Sequence, residues 1–180
     1  MIPAAVREDL LVELVDDFGA PVGEATVLEA HTAPGLLHRA FSVHLLDSDG
    51  RLLLQQRAAV KTRFPLRWAN ACCGHPAPGQ SVVDAAGVRL VEELGLSGID
   101  LTEVGVYAYR ADDPATGRVE YEHDHVLLGI VDSDELRPRP DPAEVAALRW
   151  VASTELWAEL ASSPSAYAPW LPGVTRLALP

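Results

Sequence analysis

The stretch GHPAPGQSVVDAAGVRLVEELGL, Gly74 to Leu96, decides how the chain is built. Its first third is a Pro- and Gly-rich connection, and the rest switches to helical spacing. Val83, Ala86, Leu90 and Leu94 recur near one face, with Asp84 and Glu92 off it. Ser81 stands where an N-cap belongs and Gly95 where a C-cap belongs, so the spacing predicts one capped helix.

The segments on either side of this helix read differently. Upstream, LLVELVDD (Leu10 to Asp17) is strand-like, FGAPVG is a turn, and EATVLEAHTA reads as a second strand ending at a Pro-Gly turn. HRAFSVHLLDSDGRLLLQQR reads as two strands around the turn DSDG. KTRFPLRWANACCGHPAPG, rich in Pro, Gly and aromatic residues, reads as irregular backbone of the kind that carries sites. Downstream, LTEVGVYAYR and VEYEHDHVLLGIV alternate as strands around the loop ADDPATG. AEVAALRWVASTELWAELA is a strand followed by a helix from about Ser153, and the tail SSPSAYAPWLPGVTRLALP is weakly patterned. The order β-β-β-β, loop, α, β-β, β-α predicts an α+β fold, a mixed sheet between helices. At 180 residues the chain fits a single domain over 1–180, with a core from about 30 to 160, an N-terminal strand and a C-terminal helix and tail.

With 26 acidic against 14 basic residues and a formal charge of -12, a phosphate backbone is disfavoured as the main partner. A small anionic substrate needs only a few placed cations. The N-terminus does not read as a secretory signal, and no run of about 18 apolar residues suggests a membrane span. The only two cysteines, Cys72 and Cys73, are neighbours, which disulfide geometry rarely joins. Free thiols in the cytoplasm are the simpler expectation.

Five residues are candidate metal ligands: His31, His38, His75, Glu120 and Glu122. His31 and His38 flank the Pro-Gly turn, at the end of one strand and the start of the next. Glu120, Glu122 and Asp124 share one strand face by period two, with Tyr121, His123 and His125 on the other. Imidazoles with carboxylates suit Mn, Fe, Zn or Mg, the imidazoles arguing against a pure Mg site. Alone, each such histidine is more often a surface or hydrogen-bonded core residue, and alternating carboxylates more often mark a wet face. Cys73, beside glycine in irregular backbone, is a candidate acid/base or nucleophile, while Cys72 reads as a small buried hydrophobe. Arg57, Lys61, Arg63, Arg67 and Arg89 form a basic set suited to phosphate groups, against a bland reading as a solvated loop.

Gly74 to Leu96 also partly matches the Nudix box. Gly74, Glu92, Glu93, Gly95 and Leu96 fit it, whereas Gln80 stands for its first Glu and Val88-Arg89 for its Arg-Glu. Taken with AHTAPGLLHRAFSVHLLDSDGRLLLQQRA, WANACCGHP, EELG, YRADDPATGRVEYEHDH and YAPW, the chain resembles the type I isopentenyl-diphosphate isomerases, a Nudix-fold family that does not hydrolyse its substrate. The resemblance spans about position 30 to position 170. It implies conversion of isopentenyl diphosphate to dimethylallyl diphosphate for isoprenoid biosynthesis, by protonation and deprotonation through a carbocation. It implies one metal (Mn²⁺, Mg²⁺ or Zn²⁺) on His31, His38, His75, Glu120 and Glu122. It implies a second ion, Mg²⁺, between the diphosphate and Glu93, aided by the Cys73 carbonyl. Cys73 and Glu122 would be the catalytic pair, with Tyr109 in the acid/base group and Trp170 facing the cation. Arg57, Lys61 and Arg89 would hold the diphosphate. The family usually carries a lysine where Val27 stands, so that contact is missing or comes from Arg63 or Arg67. The expected partner is a small prenyl diphosphate, with no nucleic acid and no membrane, and the chain a monomer or weak dimer. Competing classes are a Nudix hydrolase, against which Gln80 and Arg89 weigh, and a diverged non-catalytic binder, which would not need both Cys73 and Glu122.

Overall fold

The structure, a computed structural model, describes residues 7–179. Met1 to Val6, the opening of the stretch tested above for a signal, lies outside the described residues. The elements run β1 (Leu11–Val15), β2 (Pro21–Thr26), α1 (Val27–Ala30), β3 (His38–Asp47), β4 (Arg51–Arg57), β5 (Trp68–Ala69), β6 (Cys72–Gly74) and α2 (Val82–Leu94). They continue with β7 (Leu101–Asp113), β8 (Arg118–Val131), β9 (Val145–Ala152), α3 (Ser153–Ser162), a 3-10 turn (Pro164–Ala166) and α4 (Leu171–Ala178).

The sheet is organised around β3. One edge carries β8 in parallel over its whole length, from His38↔Glu122 to Asp47↔Val131. The other edge takes β1, β6 and β4 in turn, each antiparallel. β7 extends the sheet beyond β8, and β9 and β5 flank β4. β3 is buried on both faces because both are covered, apolar under α2 through Phe41, Val43 and Leu45 and partly polar on the other face through His38, Ser42 and His44. Phe41, Val43, Leu45, Leu53 and Leu127 pack against Ala85, Ala86, Leu90 and Leu94 of α2. On the opposite face Val126 meets Trp170, Val174 and Ala178 around α4, and Leu52, Leu54 and Val151 meet Leu156 and Leu160 of α3. The expected mixed sheet between helices is what forms. Among the described residues no helix is long and apolar enough to cross a membrane.

The caps of α2 behave as their residue types require. Ser81 Oγ accepts from the Asp84 N–H at 3.3 Å, and Gly95 takes a left-handed φ of 65° while Leu96 N–H reaches Leu90 O at 3.2 Å. The buried arc, however, is rotated from the apolar stripe. Val83 is 40% exposed, whereas Ala85 and Glu93 are buried. The inward turn sets the Glu93 carboxylate against Lys61 and Gln55 of the sheet side, with Arg89 of the same helix beside it.

Three other expectations change. EATVLEAHTA is not one strand, because Thr26 and Glu29 form a capping box that starts a helical turn at Val27. His31 therefore ends a helix rather than a strand. The stretch around WANACCGHP is not wholly irregular, since β5 and β6 pair with β4 and β3. The tail folds into α4, which lies so close to β7 that a Cβ on Gly173 would come within 2.1 Å of the Tyr107 ring. Only glycine allows that approach.

The tail is held by a polar cluster. Arg149 pairs with Glu159 and Tyr167 and stacks over Trp68 at 4.8 Å, and the Ala168 N–H donates to Trp68 O at 2.8 Å. Arg149→Ala is expected to cost roughly 1–2 kcal/mol through lost hydrogen bonds and stacking, a fall in Tm of a few degrees measurable by calorimetry.

His44, fully buried in β3 with neither ring nitrogen bonded, is kept neutral by burial, its pKa pushed down to about 3 from 6.5. The unfolded chain binds that proton more readily between those values, so stability is full above about pH 6.5 and falls as the pH drops towards 3. His44→Leu is expected to flatten this acid limb in thermal melts; an unchanged slope would remove His44 from the account.

Candidate active site and metal centre

The parallel register of β3 and β8 sets the site, because it places His38 beside Glu122. Period two then carries Glu120, Glu122 and Asp124 to the α4 face, where all three are buried rather than wet. Gly35, at φ 86° with the Val119 side chain against it, makes the turn that returns the chain from His31 to His38. β6 delivers His75 from the other side.

The three imidazole centroids lie 4.6, 4.9 and 4.9 Å apart. His31 Nδ1 and His38 Nδ1 each lie 2.7 Å from a main-chain carbonyl, of Val27 and Leu36. A carbonyl can only accept, so both Nδ1 atoms carry the proton and both Nε2 lone pairs face inward. His75 Nε2 is 3.0 Å from Glu122 Oε1, His38 Nε2 is 3.7 Å from it, and His31 Nε2 is 2.8 Å from Glu120 Oε2. Yet His31 Nε2, His38 Nε2 and Glu120 Oε2 are buried with no hydrogen-bond partner among the described residues. Converging buried acceptors repel unless a cation lies among them, so this donor set fits a metal ion. The ligand atoms of His31, His38, His75 and Glu122 all lie within 4.8 Å of one another, and Glu120 joins through His31. Burial keeps His75 neutral, its pKa pushed down to about 4. Burial raises the Glu122 carboxyl, but His38 and His75 outweigh it and hold it well below the usual carboxylate range. Tyr109 donates its O–H to Glu122 Oε2 at 2.6 Å, and burial with that carboxylate pushes the phenol well above its usual range.

The two cysteines separate by strand alternation. Cys72 points into the core beneath α2, fully buried, while Cys73 points to the opposite face with Trp170 and Tyr109. Both thiols are free. Cys73 Sγ donates to Asn70 Oδ1 at 3.3 Å and lies 3.7 Å from Ser42 Oγ, which itself donates to Asp124 at 2.7 Å. Burial, reinforced by Asp124, pushes the Cys73 thiol up to about 12. Trp170 is 2% exposed, edge-on to Phe64 and tilted against Tyr109.

Cys73, His75, Tyr109, Glu120, Glu122 and Trp170 line one cavity of about 600 Å³ that also takes in Arg57, Lys61, Arg63, Arg89 and Val27. Arg57 lies over the Trp170 ring at 5.4 Å and donates to the Arg63 and Phe64 carbonyls. It thereby clamps a loop in which Phe64 and Leu66 hold positive φ angles of 44° and 60°. Lys61 and Arg89 pair with Glu93 and Glu144. Glu93 is met by Lys61, Arg89 and Gln55, and among the described residues it forms no group of three ligand side chains. Arg63 bonds Glu120 and Glu8 at 3.1 Å each. Arg67 does not line the cavity. Asn70, Ser42, Gln55 and Glu144 were not singled out from sequence. Asn70 lies inside WANACCGHP, and Ser42 and Gln55 lie inside the longer stretch that carries the resemblance; Glu144 lies in neither.

Comparison with known proteins agrees with this geometry. The NUDIX domain family matches residues 36–173. An isopentenyl-diphosphate Delta-isomerase of Nocardia farcinica is 64% identical over 167 residues, covering 93% of each chain. One of Streptomyces griseus is 46% identical, covering 96% of this chain and 85% of its own. Among solved structures, DR0079 from Deinococcus radiodurans superposes with a TM-score of 0.72 at 18% identity, over 93% of this chain and 98% of its own. That likeness concerns the fold.

Proposed function

This chain belongs to the isopentenyl-diphosphate Delta-isomerases within the Nudix superfamily, and from that premise we propose how its cavity converts isopentenyl diphosphate to dimethylallyl diphosphate. The observation that carries the reading is Cys73 and the Tyr109–Glu122 pair opening onto one cavity that also takes in a cluster of cations.

Moving the double bond adds a proton at the terminal carbon and removes one from the carbon nearer the diphosphate. The intermediate is a tertiary carbocation, so the donor and acceptor must be held close on either side of the alkene. Cys73 and Glu122 are assigned these places. Between them they carry one proton, which is the number the shift requires. The forward direction uses the tautomer with the proton on the Glu122 side and Cys73 as thiolate; the return direction uses the reverse. Tyr109 keeps its own proton at Oη and directs it at Glu122, orienting that carboxylate. Trp170, Phe64 and Tyr109 exclude water that would otherwise trap the cation as an alcohol, and the indole face contributes roughly 0.5–2 kcal/mol to it.

His31, His38, His75, Glu120 and Glu122 would hold one divalent ion, Mn²⁺, Zn²⁺ or Mg²⁺, whose charge sets the acidity at Glu122. A second ion, Mg²⁺, would be held jointly by Glu93 and the diphosphate with the Cys73 carbonyl, and would supply charge neutralisation. Arg57, Lys61 and Arg89 bind the diphosphate, and Arg63 takes the place of the cation absent at Val27. One domain spanning the chain, acting in the cytoplasm as a monomer or weak dimer, completes the reading.

The test is incubation of purified protein with isopentenyl diphosphate and Mg²⁺, followed by separation of the prenyl products and assay of free phosphate. Dimethylallyl diphosphate without phosphate is expected; phosphate alone would favour hydrolysis, and neither product a binder. Metal analysis of protein purified without chelator is expected to find a bound divalent ion. Lys61→Ala is expected to raise KM about tenfold or more with kcat little changed, because the diphosphate is a handle remote from the bonds that change. Arg57→Ala is expected to raise KM and also to lower Tm, since the clamp on the 63–64 carbonyls is lost with it.

A further inference from the structure

Behind the cavity wall lies a polar side chain that touches both Cys73 and Trp170. Asn70 is fully buried in the connection between β5 and β6. Its Nδ2 donates to Val43 O at 3.1 Å and to Cys72 O at 2.8 Å. Those two bonds go to main-chain carbonyls on paired strands, so the carboxamide has one allowed orientation: flipped, its oxygen would face two acceptors. Oδ1 is thereby aimed the other way, and it accepts from Cys73 Sγ at 3.3 Å and from Trp170 Nε1 at 3.1 Å.

We infer that Asn70 is a positioning residue for the isomerisation, one fixed carbonyl oxygen setting both the thiol and the indole that faces the cation. The inference rests on the assignment of Cys73 and Trp170 above. The two segments it joins are 100 residues apart in sequence and meet as well through the Ala168 N–H on Trp68 O. That main-chain bond docks the tail, but it leaves the rotation of the thiol and the indole undetermined. Asparagine alone satisfies the local geometry. Aspartate would set an oxygen against the two carbonyls, serine is too short to reach both sides, and glutamine is longer by a methylene at a fully buried position.

Asn70→Ala is expected to lower kcat by about 10²-fold, the scale of a misplaced reacting group, with KM within about threefold because the diphosphate cations are untouched. Trp170→Phe removes the indole donor, and its effect on kcat is expected to shrink strongly when made on top of Asn70→Ala. Additive losses in the double variant, or a rise in KM equal to the fall in kcat, would overturn the inference. Should Asn70→Ala not fold, the wild-type protein still decides. The S–H infrared stretch assigned to Cys73 by its loss in Cys73→Ala is expected below that of a thiol without an acceptor, and unmoved in Ser42→Ala. A Cys73 band at the free-thiol position, or one that shifts in Ser42→Ala, would overturn it. Full activity in Cys73→Ala would instead overturn the assignment of Cys73 itself, whatever the band shows.

Discussion

Cys73→Ala is expected to lower kcat by about 10⁴-fold while leaving KM and Tm close to those of the parent. The size follows from the chemistry. An alkene carbon is neither a good base nor a source of an acidic proton, so proton transfer on the Cys73 side has no substitute once the sulfur is gone. Water is a poor replacement, because the thiol packs against the apolar cluster of Trp170, Phe64 and Tyr109. Stability should hardly change, because the sulfur makes only weak bonds, to Asn70 and near Ser42. The neighbouring residue is the internal control. Cys72 points the other way into the core under α2, so Cys72→Ala is expected to cost roughly 1 kcal/mol of stability and to leave kcat within a few-fold. Steady-state kinetics and calorimetry on both variants separate the two thiols, and equal kinetic effects would show that strand alternation is not what distinguishes them.

Glu122→Gln is expected to be as severe, and for two reasons at once. It removes the proton-carrying carboxyl, and it replaces a charged oxygen at the meeting point of His31, His38 and His75 with an amide. An amide oxygen is a weak ligand, and its NH₂ cannot coordinate at all. Turnover should fall by about 10⁴-fold and metal content per chain should fall with it. Glu120→Gln distinguishes the two losses: it weakens the same ligand set but leaves Glu122 and Tyr109 in place. It is expected to lose metal and to recover most of its turnover when the ion is supplied in excess, whereas Glu122→Gln is not. Recovery of Glu122→Gln by added metal would confine Glu122 to ligation.

The secondary structure was largely legible because most of it is driven by local patterning. Ser81, Gly95 and the turn DSDG lie where caps and turns belong, and β9 and α3 divide at Ser153 as read. Where the reading failed, local pattern competed with something else. The capping box of Thr26 and Glu29 was present but was overruled by the apparent alternation of EATVLEAH, so His31 was put on a strand. Val83 reads as core and is exposed, while the helix turns Glu93 inward to Lys61 and Gln55. The catalytic candidates were nameable from their types and from the resemblance, but the partners that orient them were not. Asn70 and Ser42 make side-chain bonds whose geometry no sequence spacing encodes.

By itself, then, the sequence determined which groups are available: three imidazoles, two strand-alternating carboxylates, one thiol beside a glycine and a set of cations in an acidic chain. Tertiary structure alone decided that they meet. The parallel register of β3 on β8, a pairing between segments about 80 residues apart, sets His38 beside Glu122 and lets β6 bring Cys73 and His75 to the same face. The physical reason is that side-chain direction in a strand is local, fixed by period two, whereas strand partnership is not. It depends on which apolar faces can be buried together, and that is a property of the whole core.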